Sequence, residues 1–307
     1  MINPRIEGLV AAPFTPMYPD GSIAYERIPA LVEHLATWNV RGLFVCGSTG
    51  EGPSLTVAER QKLAEAFVTA NRGRLFLFVH VGHNSLTEAK SLARHAQEIG
   101  ANAISATAPT YFKLNTIDAL ANSLQLIAEG APQLPLYYYN IPALTGVSLN
   151  MLALLESAQK EIPTLAGIKY TTPLLHEYQA CVRFSDNRYQ ILYGSDEMLL
   201  GALACGAKAF IGSTYNFMAP IYHRVIRAFN QKHHEDAQQY QALSVATVRL
   251  IFKYGGLPAQ KAIMRMIGQD CGPVRLPLTT LTPSTYETLE SELQTIGFFN
   301  AVKSDSL

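Results

Sequence analysis

The chain is short of several things, and each shortage excludes a class of protein. It has four cysteines in 307 residues, Cys46, Cys181, Cys205 and Cys271, widely spaced and without a CxxC pair. That argues against a disulfide framework and for free, mostly buried thiols in a reducing compartment. Charge is sparse, at 16% of residues, and balanced, with 24 Lys and Arg against 24 Asp and Glu. No basic excess points to nucleic acid or to an anionic membrane surface. No run of about 18 apolar residues occurs, and Glu7 and Pro13 interrupt the N-terminal apolar stretch. Neither a membrane span nor a signal peptide is therefore expected, and cytoplasmic residence is the default. No GxGxxG follows the first strand candidate, as a dinucleotide-binding open sheet would require.

What remains is apolar and regular. Hydrophobic residues make up 48% of the chain and the mean hydropathy is +0.08, enough for a large core. The length suits two average domains or one α/β barrel of roughly 250 residues with an addition. Eight short apolar runs punctuate it: GLVAAPF from Gly8, GLFVCG from Gly42, LFLFVHVG from Leu75, AISATAP from Ala103, LPLYYYN from Leu134, LAGIKY from Leu165, YQILYG from Tyr189 and AFIGST from Ala209. They are continuous rather than alternating, as parallel strands covered on both faces should be. Helical patterns separate them. Thr56 with Glu59, and Ser85 with Glu88, fit capping boxes, while Gly100 and Gly206 fit helix C-termini. The predicted fold class is α/β: a (β/α)8 TIM barrel over residues 1–232. A C-terminal helical extension follows over 233–307, packed on the barrel as one structural unit. Its helices are predicted at about 236–252, 258–266 and 282–296. A doubly wound open sheet is the alternative.

In such a barrel the active site forms at the C-terminal ends of the strands, and three of those ends are unusual. Strand six ends in LAGIKY, where Lys169 closes an apolar run. Such a lysine is either a snorkelling rim residue or an amine held out of water, able to form a Schiff base with a ketone. Tyr139 ends the preceding strand 30 residues earlier, about one βαβ unit, so a phenol able to relay protons would stand beside the amine. Of the neighbouring Tyr137 and Tyr138, one is expected in the core and one outward. Strand two ends in GSTGEG, where backbone N–H groups and the hydroxyls of Ser48 and Thr49 can converge on a carboxylate. Together these describe a pocket for a 2-keto acid.

These residues carry a resemblance. GSTGE after strand two, YNIPALTG from Tyr139, GIKYT around Lys169, and GSDE with GSTYN between Gly194 and Asn216 resemble the dihydrodipicolinate synthase and N-acetylneuraminate lyase family. The similarity runs from GLVAAPFTP to KAIM (261–264) and GPVRLPL (272–278). It implies that Lys169 is the Schiff-base lysine, Tyr139 the proton-transferring tyrosine, and Ser48 with Thr49 the carboxylate-binding pair. Thr171 would border the reacting centre, Gly194 would belong to the substrate-binding set, and Tyr111 would extend the proton relay through Ser48 from a neighbouring subunit. Synthases of the family carry an arginine two residues after the proline of the tyrosine motif; here Pro142 is followed by Ala143 and Leu144. Asp196, Glu197 and Ser213 stand where the lyase branch meets sugar hydroxyls. The implied reaction is reversible cleavage of N-acetylneuraminate (sialic acid) to N-acetylmannosamine and pyruvate, with no cofactor and no metal, by a homotetramer. His80 with His83, and His233 with His234 beside Glu235 and Asp236, are weighed as metal ligands and read as structural or surface residues, because no third inward ligand is evident. Two other readings stay open: another pyruvate aldolase of the same family, acting on a deoxy sugar acid, and a non-catalytic barrel that binds a keto acid or sialic acid.

Overall fold

The computed structural model describes residues 5–184 and 188–303. Eight parallel strands close in chain order into a barrel: β1 (Gly8–Ala11), β2 (Gly42–Val45), β3 (Phe76–His80), β4 (Ala103–Ala106), β5 (Leu136–Asn140), β6 (Leu165–Tyr170), β7 (Gln190–Tyr193) and β8 (Ala209–Gly212). Each falls inside one of the eight apolar runs. Pairing of β8 with β1 leaves no open edge. Helices separate the strands on the outside. Thr56 and Glu59 make the full reciprocal capping box, whereas the Ser85 side chain accepts from the Glu88 N–H, which is half of one. Gly100 and Gly206 leave their helices at φ +81° and +95°, a region open to glycine without a Cβ clash.

The strands divide their side chains between two cores. Alternate residues such as Val10, Phe44, Phe78, Tyr137, Tyr139, Leu192 and Ile211 fill the barrel interior. Leu9, Leu43, Val79, Tyr138, Ile168 and Tyr193 pack outward under the helices. Two-residue periodicity thus sends Tyr137 and Tyr139 inside and Tyr138 out, as expected for that triplet, although all three are buried.

In β6 this alternation is interrupted. Leu136 pairs with Leu165, but the next residue, Tyr137, pairs with Gly167, so β6 holds one extra residue there and its facing switches. Ala166 belongs to the interior cluster and Ile168 to the outer one. From Gly167 onward the odd-numbered residues therefore point inward, Lys169 among them, paired with Tyr139 on one side and Leu192 on the other.

After β8 come the helix Tyr215–Asn230 and then His234–Lys253, Leu257–Met266, Pro283–Thr295 and Phe298–Lys303. The sequence-derived boundary at residue 232 falls between the first two. The last helix was not predicted: Gly297, at φ +80°, separates it from its predecessor, and six residues are too few to show a helical period.

A Cβ on Gly167 would fall well inside contact distance of the Gln190 carbonyl oxygen on β7. Gly167→Ala is therefore expected to lose about 1–3 kcal/mol of stability, read as a lower denaturant midpoint. An unchanged midpoint would show that the close approach of β6 and β7 is not required.

Candidate active site

Register alone puts Tyr139 beside Lys169. Lys169 is 4% exposed. Its Nζ lies 3.9 Å from the centroid of the Tyr139 ring and 4.3 Å from that of Phe44. When charged, an ammonium over two desolvated ring faces gains on the order of 0.5–2 kcal/mol from each. Tyr139 in turn meets Phe44 and His80 edge-on, at centroid distances of 5.5 Å and 5.9 Å. The cluster therefore joins the ends of β2, β3, β5 and β6.

Sequence reading considered His80 only as a metal ligand, yet it belongs to this cluster. Its Nε2 accepts the Thr107 N–H at 3.3 Å. Burial, then the Arg60 and Lys169 charges, hold its pKa well below the usual imidazole range, so it stands as a neutral ring. His83 lies apart, accepting the Ser85 N–H at a helix start, and exposed His233 stands 4.0 Å from Asp236. Among the described residues no group of three or more His, Cys, Asp and Glu could hold a metal ion.

Ser48 and Thr49 are half-buried on the turn after β2. That turn is closed by hydrogen bonds from Glu51 N–H to Ser48 O (3.1 Å) and from Gly52 N–H to Gly47 O (3.0 Å). Gly52 is required there, because a Cβ would collide with the Cys46 carbonyl. Thr171 follows Lys169 by two residues; its N–H donates to Asn140 O at 2.9 Å, while its Oγ1 is buried without a partner. Gly194 lies against that hydroxyl, which a Cβ at 194 would displace.

Asp196 and Glu197 do not offer equivalent carboxylates. Glu197 is half-buried, whereas Asp196 is buried. Asp196 Oδ2 accepts from the Thr214 N–H at 2.9 Å and hydroxyl at 2.6 Å. Thr214 Oγ1 lies 2.8 Å from Tyr222 Oη, which meets Ser244 Oγ at 2.7 Å. Oδ1 has no partner, so Asp196 keeps one acceptor in reserve. Burial pushes its pKa up to about 6, against the Thr214 hydrogen bonds and the Lys169 charge, which lower it. Ser213 is half-buried beside Thr214. Tyr111 is the outlier: 79% exposed, it packs edge-on against Phe112 at 5.0 Å and stands in solvent on the single chain.

The Asp196 shift has a stability consequence. An unfolded aspartate titrates near ~3.9 and the folded one at about 6, so between those values the folded chain binds the extra proton. Stability then falls as pH rises through the window, and the cost is complete above it. Asp196→Asn is expected to melt higher than the parent chain at pH 8 and equally at pH 4, a gain of about 3 kcal/mol at the upper limit. A difference between the two proteins that does not change with pH would contradict this.

Comparison with known proteins agrees with this fold. The Dihydrodipicolinate synthetase family profile matches residues 5–296. N-acetylneuraminate lyase of Gallus gallus is 40% identical over 297 residues, covering 95% of this chain and 96% of the relative. Among solved structures, Proteus mirabilis N-acetylneuraminate lyase superposes with a TM-score of 0.93 at 38% identity, over 96% of this chain and all of that one. A Ruminococcus gnavus sialic acid aldolase with its catalytic lysine mutated reaches 0.90 at 27% identity, over 96% of each chain. With a match spanning the barrel from before β1 to the end of the helix Pro283–Thr295, the chain belongs to the dihydrodipicolinate synthetase family.

Proposed function

We propose that this chain is a class I aldolase that reversibly cleaves N-acetylneuraminate to N-acetylmannosamine and pyruvate, with Lys169 as its Schiff-base residue. The observation that carries the proposal is the buried, register-paired contact of Lys169 with Tyr139. Burying a lysine on two aromatic faces is costly for a protein that only binds, and useful to one that needs an amine nucleophile. The relatives' names support the substrate, and the Ruminococcus gnavus aldolase has a catalytic lysine.

In this reading the neutral amine of Lys169 attacks C2 of the open-chain sugar acid and water leaves, giving an iminium. Tyr139, with Ser48, takes the proton of the C4 hydroxyl as the C3–C4 bond breaks. The bond's electron pair moves into the iminium, leaving the enamine of pyruvate and releasing N-acetylmannosamine as an aldehyde. Protonation at C3 and hydrolysis by water return pyruvate and the free amine. Ser48 and Thr49 hold the carboxylate through hydroxyls and backbone N–H groups, and Thr171 and Gly194 line the reacting centre. The unpaired Oδ1 of Asp196, with Glu197 and Ser213, accepts or orients sugar hydroxyls. A polyol suits these carboxylates, and Ala143 and Leu144 supply no cation for a second carboxylate.

The same reading places the enzyme in the cytoplasm as a homotetramer, with barrel and extension as one structural unit. Among the described residues no helix is long and apolar enough to cross a membrane. Exposed Tyr111, Phe112, Leu144 and Leu174 stand on the segments that follow β4, β5 and β6, where a second chain would cover them.

Borohydride reduction of the protein mixed with N-acetylneuraminate, or separately with pyruvate, is expected to leave a pyruvate-mass adduct on Lys169 in both mixtures. Lys169→Ala should fold and form none. An adduct from pyruvate alone would move the substrate to another aldehyde, and none from either would favour a binding barrel. Tyr139→Phe should still trap pyruvate but lose about 10²–10⁴-fold in kcat. Turnover within twofold of the parent would remove Tyr139 from the proton path.

A further inference from the structure

The interior holds a second buried amine, far along the chain from the first. Lys261, on the helix Leu257–Met266, lies 2.7 Å from Glu51 in the GSTGEG turn, the two side chains being 3% and 1% exposed. The same Nζ donates to Thr15 O at 3.0 Å and Pro273 O at 2.7 Å, so the ammonium is held by two carbonyls beside its ion pair with Glu51. The other oxygen of Glu51 accepts the main-chain N–H of Arg275 at 2.7 Å. The Arg275 guanidinium closes a fork on Glu59 at 2.9 and 2.8 Å and also reaches Gly21 O and Ser54 O. Thr15 Oγ1 donates to Gly50 O at 2.5 Å.

The turn needs such support. Cys46 and Glu51, both L residues with side chains, sit at φ +60° and +54°, a conformation that persists only when the surroundings over-determine it. Its own hydrogen bonds span only a few residues. Thr15 after β1 holds Gly50, Arg60 O meets Cys46 Sγ, and the helix of Lys261 with the segment around Arg275 acts on the side of the turn that carries Glu51. Ser48 and Thr49 occupy the same turn, so the anchor and the substrate-facing hydroxyls cannot move independently. A buried ion pair adds little stability over an apolar pair of the same volume; what it adds here is a fixed direction.

We propose that Lys261 and Arg275 are positioning residues for substrate binding. Lys261 holds the turn through Glu51, and Arg275 holds it through its main-chain N–H to Glu51 and its guanidinium on Ser54 O and Glu59, so that the turn aims Ser48, Thr49 and their N–H groups at the keto acid's carboxylate. This rests on the reading of Lys169 and of that turn given above. The C-terminal extension thereby forms part of the carboxylate site without touching substrate.

The test compares the full-length chain with two variants. Lys261→Met combined with Glu51→Gln removes both charges and leaves none orphaned. Arg275→Met, at a partly exposed side chain, keeps the pair and serves if the double variant does not fold. Each is reduced with borohydride at increasing concentrations of pyruvate or of acetaldehyde, which has a carbonyl but no carboxylate, and the Lys169 adduct is quantified by mass spectrometry. The half-saturating pyruvate concentration is expected to rise at least tenfold while that of acetaldehyde stays within twofold, and KM for N-acetylneuraminate should rise more than kcat falls. Folded variants with parental pyruvate trapping would overturn the inference. So would equal losses for both carbonyls, the mark of a merely structural role. A parent chain that traps neither carbonyl would instead bring down the reading of Lys169 itself, and this inference with it.

Discussion

The inward direction of Lys169 depends on one extra residue in β6. Had the pairing of Leu136 with Leu165 continued in step, the interior position of Ala166 would have passed to Ile168, and Lys169 would have pointed at the helices. The bulge reverses that facing and, through Gly167, allows β6 to lie close against the Gln190 carbonyl. The contacts of the amine with Tyr139 and Phe44 follow from this switch, as does the influence of its charge on His80 and Asp196.

The interior of a protein is a poor place for charge, and each buried charged group here is accommodated differently. Lys169 rests on aromatic faces. Arg60, buried behind the strand ends, donates to the carbonyls of Gly82 at 2.9 Å and His80 at 2.6 Å. Glu51 and Lys261 neutralise each other, and removing one partner of such a pair costs about 3–5 kcal/mol. Asp196 is held through Thr214 and keeps one oxygen unpaired. These groups ring the C-terminal ends of the strands, where the proposed reading seats the substrate's carboxylate near positive charge and oriented N–H groups and its far end near acceptors.

The extension also bears on the site from a second direction. Gln241, on the helix His234–Lys253, donates to the Glu197 carbonyl at 3.0 Å and accepts the Leu200 N–H at 2.9 Å. The turn after β7 is thus tied to one helix of the extension, His234–Lys253, and the turn after β2 to the next, Leu257–Met266. Both ends of a bound sugar acid would then be placed by residues outside the (β/α)8 repeat.

Much of this was legible in the residues themselves. Continuous apolar runs at regular spacing yield eight buried parallel strands because both faces of each are covered, and the capping residues mark helices because orphan N–H groups need acceptors. Lys169, Tyr139 and the GSTGEG turn stand out because a cation, a phenol and a turn each close an apolar run. His80 carried the same mark, closing the run of β3, but was weighed only as a ligand. The bulge left no trace, since one residue more in LAGIKY changes neither composition nor length appreciably. Glu51 lies more than two hundred residues from Lys261 and Arg275, and nothing local in KAIM or GPVRLPL indicates that they meet. Local patterning therefore determined the elements and singled out the groups proposed to react. Tertiary structure alone decided which way the lysine faces and what holds the turn opposite it, because strand register and buried charge pairing are properties of chain closure rather than of any one segment.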